Sequence, residues 1–225
     1  MAHREDGKLK GVIQEATTVR KITPYRTKRN AVKALDNGGR LFNLLTHADD
    51  GRISAAELGK AAGIIGDRQS MFLHLDMALA PLDDARVREV RSMLSDKLKA
   101  AYKRKGPRQA TPAEGRSIEP GRAIIVVGVP RHVDEKAGLS GFITVPMTTG
   151  NVTTMMMVPI FEQYDVYEVS DPEVAGALLV TAPKGKRSLE VVPTRFGGVV
   201  KVFEEGQRKR HDRYLEARFY TPLDP

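Results

Sequence analysis

The hydrophobic period changes once along this 225-residue chain, and that change limits the folds open to it. Before about residue 106 the apolar positions recur at three and four, as in Val87, Val90, Leu94, Leu98 and Ala101, which share one face of a helix expected from about Asp83 to Arg104. Asp83 and Asp84 suit its first turn and Lys103, Arg104 and Lys105 its last, because each sign opposes the helix dipole there. Three further helices are expected over about Arg29 to Leu45, Ser54 to Ala62 and Asp67 to Ala80. The second opens with Ser54 and has Glu57 three residues on, the signature of a capping box. After about residue 120 the pattern becomes short alternating or β-branched runs. These are Ala123–Val129, Phe142–Met147, Val152–Phe161, Tyr164–Val169, Ala177–Thr181, Ser188–Val192, Gly198–Phe203 and Arg213–Tyr220. In the last of these Leu215, Ala217 and Phe219 fall on one side and the polar residues on the other, as in a half-buried strand.

The two patterns meet in GPRQATPAEGRSIEPG, which is rich in Gly and Pro and has no large apolar residue except Ile118, the composition of a linker. The expected fold is therefore α+β, an N-terminal helical region followed by a mostly antiparallel β-sandwich or barrel. The expected divisions are a basic arm at 1–28, a helical domain at 29–105, a linker at 106–120 and a β-domain at 121–225. The apolar runs fall short of the roughly 20 residues a membrane-spanning helix needs. The first ten residues lack the apolar stretch of a signal peptide, so an intracellular or virion location is expected.

Charge is unevenly spread. Residues 1–40 hold ten Lys and Arg against four Asp and Glu, whereas residues 121–225 hold thirteen of each, and the whole chain has a formal charge of +8. Arg20, Lys21, Arg26, Lys28, Arg29 and Lys33 carry much of the surplus, and Pro24 and Tyr25 interrupt any continuous helix through them. A mobile cationic segment gains affinity for phosphates by releasing counterions, so nucleic acid is the expected partner. A second knot, Arg208, Lys209 and Arg210 with Tyr214 and Tyr220 nearby, interleaves basic and aromatic residues as single-strand binders do.

The stretch LFNLLTHADDGRISAAELGKAAGIIG resembles an EF-hand helix, loop and helix. Gly51 falls at the sixth loop position, Ile53 at the eighth and Glu57 at the twelfth, where the family uses a bidentate carboxylate. The resemblance implies calcium as a ligand, held by Asp50 and Glu57, although Thr46 and Ala48 stand where the first and third loop ligands belong. The overlapping ISAAELGKAAGIIGDRQSMFLHLDMAL resembles a helix-turn-helix, with Gly63 to Gly66 as its turn.

Enzyme signatures are few. The absence of cysteine removes thiol chemistry, and the five histidines show no HExxH or HxxxH spacing. Neither a G-x-S-x-G elbow nor a phosphate-binding loop is present. No catalytic residue and no obligatory cofactor is assigned. The run Met155–Met157 places thioethers on both faces of one strand, which fits either a central buried strand or a subunit contact. The function expected is that of a non-enzymatic, nucleic-acid-associated binding or assembly protein, on the plan of viral and phage structural proteins. Its basic arm would hold the nucleic acid while the β-domain mediates self-association or partner binding. A calcium-responsive regulator and an enzyme with a site hidden in the β-domain are the alternatives.

Overall fold

The computed structural model describes residues 19–38, 48–64, 66–132, 142–149, 152–159, 164–171, 173, 176–183, 189–202 and 213–223. Its class is α+β, with a closed five-stranded barrel. The helices are α1 (Lys28–Leu35), α2 (Ala55–Ala62), α3 (Arg68–Leu79), α4 (Asp84–Ser92), α5 (Asp96–Lys105) and α6 (Pro112–Gly115). The strands are β1 (Arg20–Lys21), β2 (Arg108–Ala110), β3 (Ala123–His132), β4 (Phe142–Thr149), β5 (Val152–Pro159), β6 (Tyr164–Ser170), β7 (Ala177–Pro183), β8 (Thr194–Val202) and β9 (Arg213–Pro222).

The barrel closes because β3 pairs with both β6 and β8, and β9 pairs with both β7 and β8; only the β7–β9 contact within the ring is parallel. Alternation along each strand sends one set of side chains inward. Ile124, Val126, Tyr167, Val169, Leu178, Val180, Phe196, Val200, Leu215 and Ala217 fill the interior. The opposite face of β3 is also apolar. Ala123 and Ile125 meet Leu73, Met77 and Ala78 of α3 in a second cluster, joined by Ile22 and Phe219. A strand buried on both faces reads as a continuous apolar run, and AIIV at the start of β3 is such a run.

Helix α3 is thus the hinge of the packing. Its other side contributes Phe72, Leu75 and Leu79 to a helical core with Leu35, Leu58, Leu94 and Leu98. The space for its approach to the barrel comes from Gly197 on β8, where a Cβ would run into the Met77 sulfur. Although the segment resembles a recognition helix, all but one of the residues from Ser70 to Leu79 are buried. Only Arg68 at its start is exposed, with Gln69 and His74 partly so.

Several expectations need correction. The helix expected over Asp83–Arg104 is broken at Met93–Ser95, where Ile53 inserts between the two halves. The Ile53 amide donates to the Met93 carbonyl at 2.8 Å and the Ser95 amide donates to the Ile53 carbonyl at 2.9 Å. Residues 106–120 are more than a linker. They form β2, which pairs in parallel with the start of β3, and α6, whose capping box joins Thr111 and Glu114. Gly115 lies against Leu178 and Ile124, so α6 packs onto barrel residues. Residues 19–28 are not a free arm: Arg20 and Lys21 pair with Phe219 and Tyr220 as β1, and Ile22 is buried. The described part of Ser188–Val192, residues 189–192, is not a strand.

Candidate nucleic-acid interface

The sequence groups Arg20, Lys21, Arg26, Lys28, Arg29 and Lys33 by adjacency; the fold separates them by task. Arg20 is structural. Its Nη1 donates to the Ala62 carbonyl at 2.9 Å and the Gly63 carbonyl at 3.3 Å, and the guanidinium lies 5.4 Å from the centre of the Phe219 ring. Those carbonyls belong to the unsatisfied end of α2, where a cation also meets the negative end of the dipole. Gly63 is the left-handed cap of that helix at φ 65°, and a Cβ there would sit 2.7 Å from the Arg20 nitrogen, so glycine serves both needs.

Lys21 is exposed beside Tyr220 of β9, and Lys28 is ion-paired with Glu89 of α4. Arg26, Arg29 and Lys33 remain. All three are exposed and form no ion pair among the described residues. Arg29 and Lys33 are four apart in α1 and so lie on the same face. Arg208, Lys209 and Arg210 lie outside the described residues, as do residues 1–18.

Two carboxylates near the end of α1 are turned inward, whereas Glu89, Asp49 and Asp50 nearby are exposed. Asp36, at the end of α1, is 2% exposed and accepts from the amides of Asp50 at 3.2 Å and Gly51 at 2.8 Å. Glu57, also 2% exposed, accepts from Asn37 at 3.1 Å and Gly38 at 2.7 Å through one oxygen, and from Ser54 at 2.8 Å through the other. These are charge-assisted bonds that fix the loop from α1 to α2. The capping box expected at Ser54 and Glu57 is present, and Gly51 has the positive φ, 75°, expected of a sharp turn. Asp50 accepts from its own Arg52 amide at 2.8 Å. With Glu57 committed to three amides, a calcium ion would have to displace them. Among the described residues no group of three or more His, Asp or Glu side chains comes together in a metal-binding arrangement.

A second basic surface is not visible in the sequence because its parts are far apart in the chain. The Gln69 side chain donates to the Gly121 carbonyl at 2.8 Å, and the Arg122 guanidinium donates to the Arg104 carbonyl at 3.4 Å. The start of α3, the end of α5 and the entry to β3 therefore converge, and Arg68, Arg104, Lys105 and Arg122 on these segments are exposed. The one available signal was Lys103–Lys105, which sequence alone explains as a complement to the helix dipole.

No protein-family model matches the chain, and no curated protein matches it. Among solved structures it is similar to "OBody AM2EP06 bound to hen egg-white lysozyme", at 14% identity over 49% of this chain and 90% of that one, with a TM-score of 0.26. A likeness that loose carries no functional argument. No helix among the described residues is long and apolar enough to cross a membrane.

Proposed function

We propose that this is a non-enzymatic, nucleic-acid-associated binding or assembly protein, acting inside a cell or in a virion. In this reading an N-terminal helical region presents cations to phosphates, while the barrel offers surfaces for self-association or partner binding. One observation carries it: Arg26, Arg29 and Lys33 stand exposed without ion pairs among the described residues, while Glu89 is taken by Lys28 and Asp36 and Glu57 near the end of α1 are buried against backbone amides. Self-neutralised surface lysines and arginines are ordinary; exposed cations without an ion-pair partner among the described residues leave a positive field for a polyanion. Closed five-stranded Greek-key barrels include oligonucleotide binders but host unrelated functions too, so the barrel class is compatible with the reading and does not choose it.

The test is a salt titration of binding to duplex and single-stranded nucleic acid. For B-DNA each phosphate contact contributes about 0.9 to the slope of log K against log salt. The variant Arg26→Gln/Arg29→Gln/Lys33→Gln should lower that slope by about 2 to 3 on duplex and leave the melting temperature unchanged. Equal slopes for variant and wild type would remove these residues from the interface; no binding by the wild-type chain would end the reading.

A further inference from the structure

We infer that Arg68, Arg104, Lys105 and Arg122 form a second phosphate-contacting surface, so that nucleic acid engages the junction of helices and barrel as well as α1. The inference rests on the nucleic-acid reading and adds a site to it. Three segments that are 18 to 52 residues apart are tied together by the Arg122–Arg104 and Gln69–Gly121 bonds. The tie matters because it uses backbone carbonyls. Arg122 reaches the carbonyl of Arg104, one of the last four of α5, which lack helical donors. The Arg104 side chain forms no ion pair among the described residues.

The local carboxylates, Asp67, Glu114 and Glu119, are fewer than the cations Arg68, Arg104, Lys105, Arg108 and Arg122. Asp67 spends its oxygens on the Gln69 and Ser70 amides, at 3.0 and 3.1 Å, and on the Ser70 hydroxyl at 2.6 Å. Glu114 is exposed, bonds to Thr111 within the α6 capping box and interacts electrostatically with Arg108, so it offsets that positive charge. Glu119, in the turn before Arg122, is exposed and offsets one positive charge; Arg108, exposed at the start of β2, adds one. Among the described residues none of Arg68, Arg104, Lys105, Arg108 or Arg122 forms an ion pair. Five cations against the carboxylates of Asp67, Glu114 and Glu119 leave a positive excess at the junction, which a chain of phosphates relieves while releasing its counterions.

A purely structural role for these residues makes a different prediction, and the main-chain nature of the acceptor separates the two. Arg68→Gln/Arg104→Gln/Lys105→Gln keeps the Arg104 carbonyl, the Arg122 bond and the Gln69 bond. It should melt with the wild type, bind duplex at least tenfold more weakly at about 0.1 M salt, and show a slope lower by about 2 to 3. Arg122→Lys, which retains charge, should bind more nearly as the wild type than Arg122→Gln does. Unchanged affinity and slope in the triple variant would overturn the second surface. If the α1 variant loses binding in the same assay, that result leaves the nucleic-acid reading standing; failure of the wild type to bind at all removes both. Wild-type binding to vesicles containing anionic phosphatidylserine, in preference to nucleic acid and lost in the triple variant, would also overturn the inference in favour of a membrane surface.

Discussion

His74 lies on α3 with its Nδ1 buried and without a hydrogen-bond partner among the described residues, its ring 5.8 Å from that of Phe219. Burial, and then the nearby Arg20 charge, lower its pKa to about 4 from the ordinary 6.5. The unfolded chain takes up this proton below pH 6.5 while the folded one resists until about pH 4. His74 therefore supports the fold fully above pH 6.5, and that support fades as pH falls from 6.5 towards 4. His74→Leu should flatten the dependence of stability on pH across this window, by on the order of 2 to 3 kcal/mol, as read from urea unfolding at stepped pH. Asp76 shows the opposite sign. Burial raises its pKa, against the pull of Arg91 and a bond from the Tyr102 hydroxyl, so its penalty enters as pH rises from 3.8 through the raised value. It still organises three helices: Arg91 reaches it at 2.8 Å and Tyr102 at 2.6 Å. Asp76→Ala should cost about 2 kcal/mol by stranding both partners, with the cost moderated by the partial exposure of Arg91. For Glu57, removal of a carboxylate holding three amides predicts that Glu57→Ala loses about 2 kcal/mol with or without calcium. Millimolar calcium should leave the melting temperature of the wild type unchanged, whereas a rise would restore the ion-binding alternative.

Among the elements, α2, α3 and β9 were legible almost residue by residue because their signals are local. A capping box marks the start of α2, Asp67 caps α3 through its own side chain, and β9 alternates in and out along its length. Strands β1 and β2 were not legible. Two and three residues long, they exist because the outer edges of β9 and β3 offer unpaired backbone groups, a condition that sits far away in the sequence. The break between α4 and α5 has the same origin, since Ile53 supplies the backbone partners that an uninterrupted helix would have found within itself. The ring closes at Gly197 and Gly198, where the pairing of β8 with β9 shifts register. A Cβ at Gly198 would collide with the Glu216 carbonyl, which is main chain and cannot turn aside. Gly198→Ala should therefore cost more than the usual surface substitution, about 2 kcal/mol or more, with a loss of amide protection spreading along β8 and β9 in hydrogen exchange.

At the scale of the molecule, helices and barrel share one packing problem. Leu73, Met77 and Ala78 of α3 are each at most 1% exposed, and they are covered by residues of the barrel strands and by Ile22. Fragments 19–105 and 121–225, expressed separately, should each lack cooperative unfolding and bind a hydrophobic dye, because each leaves an apolar face uncovered. Two independently folding fragments would reinstate a linker at 106–120. The amino-acid order by itself determined the α+β class, the caps of individual helices and the cationic bias of the first forty residues, since periodicity, capping and charge are properties of neighbours in the chain. Only the tertiary structure decided that Arg20 anchors α2, that Asp36 and Glu57 turn inward, and that Gln69 and Arg122 tie the start of α3 and the end of α5 to the entry of β3. Those roles depend on which backbone groups are left unsatisfied once distant segments have packed, and no local stretch of sequence records that.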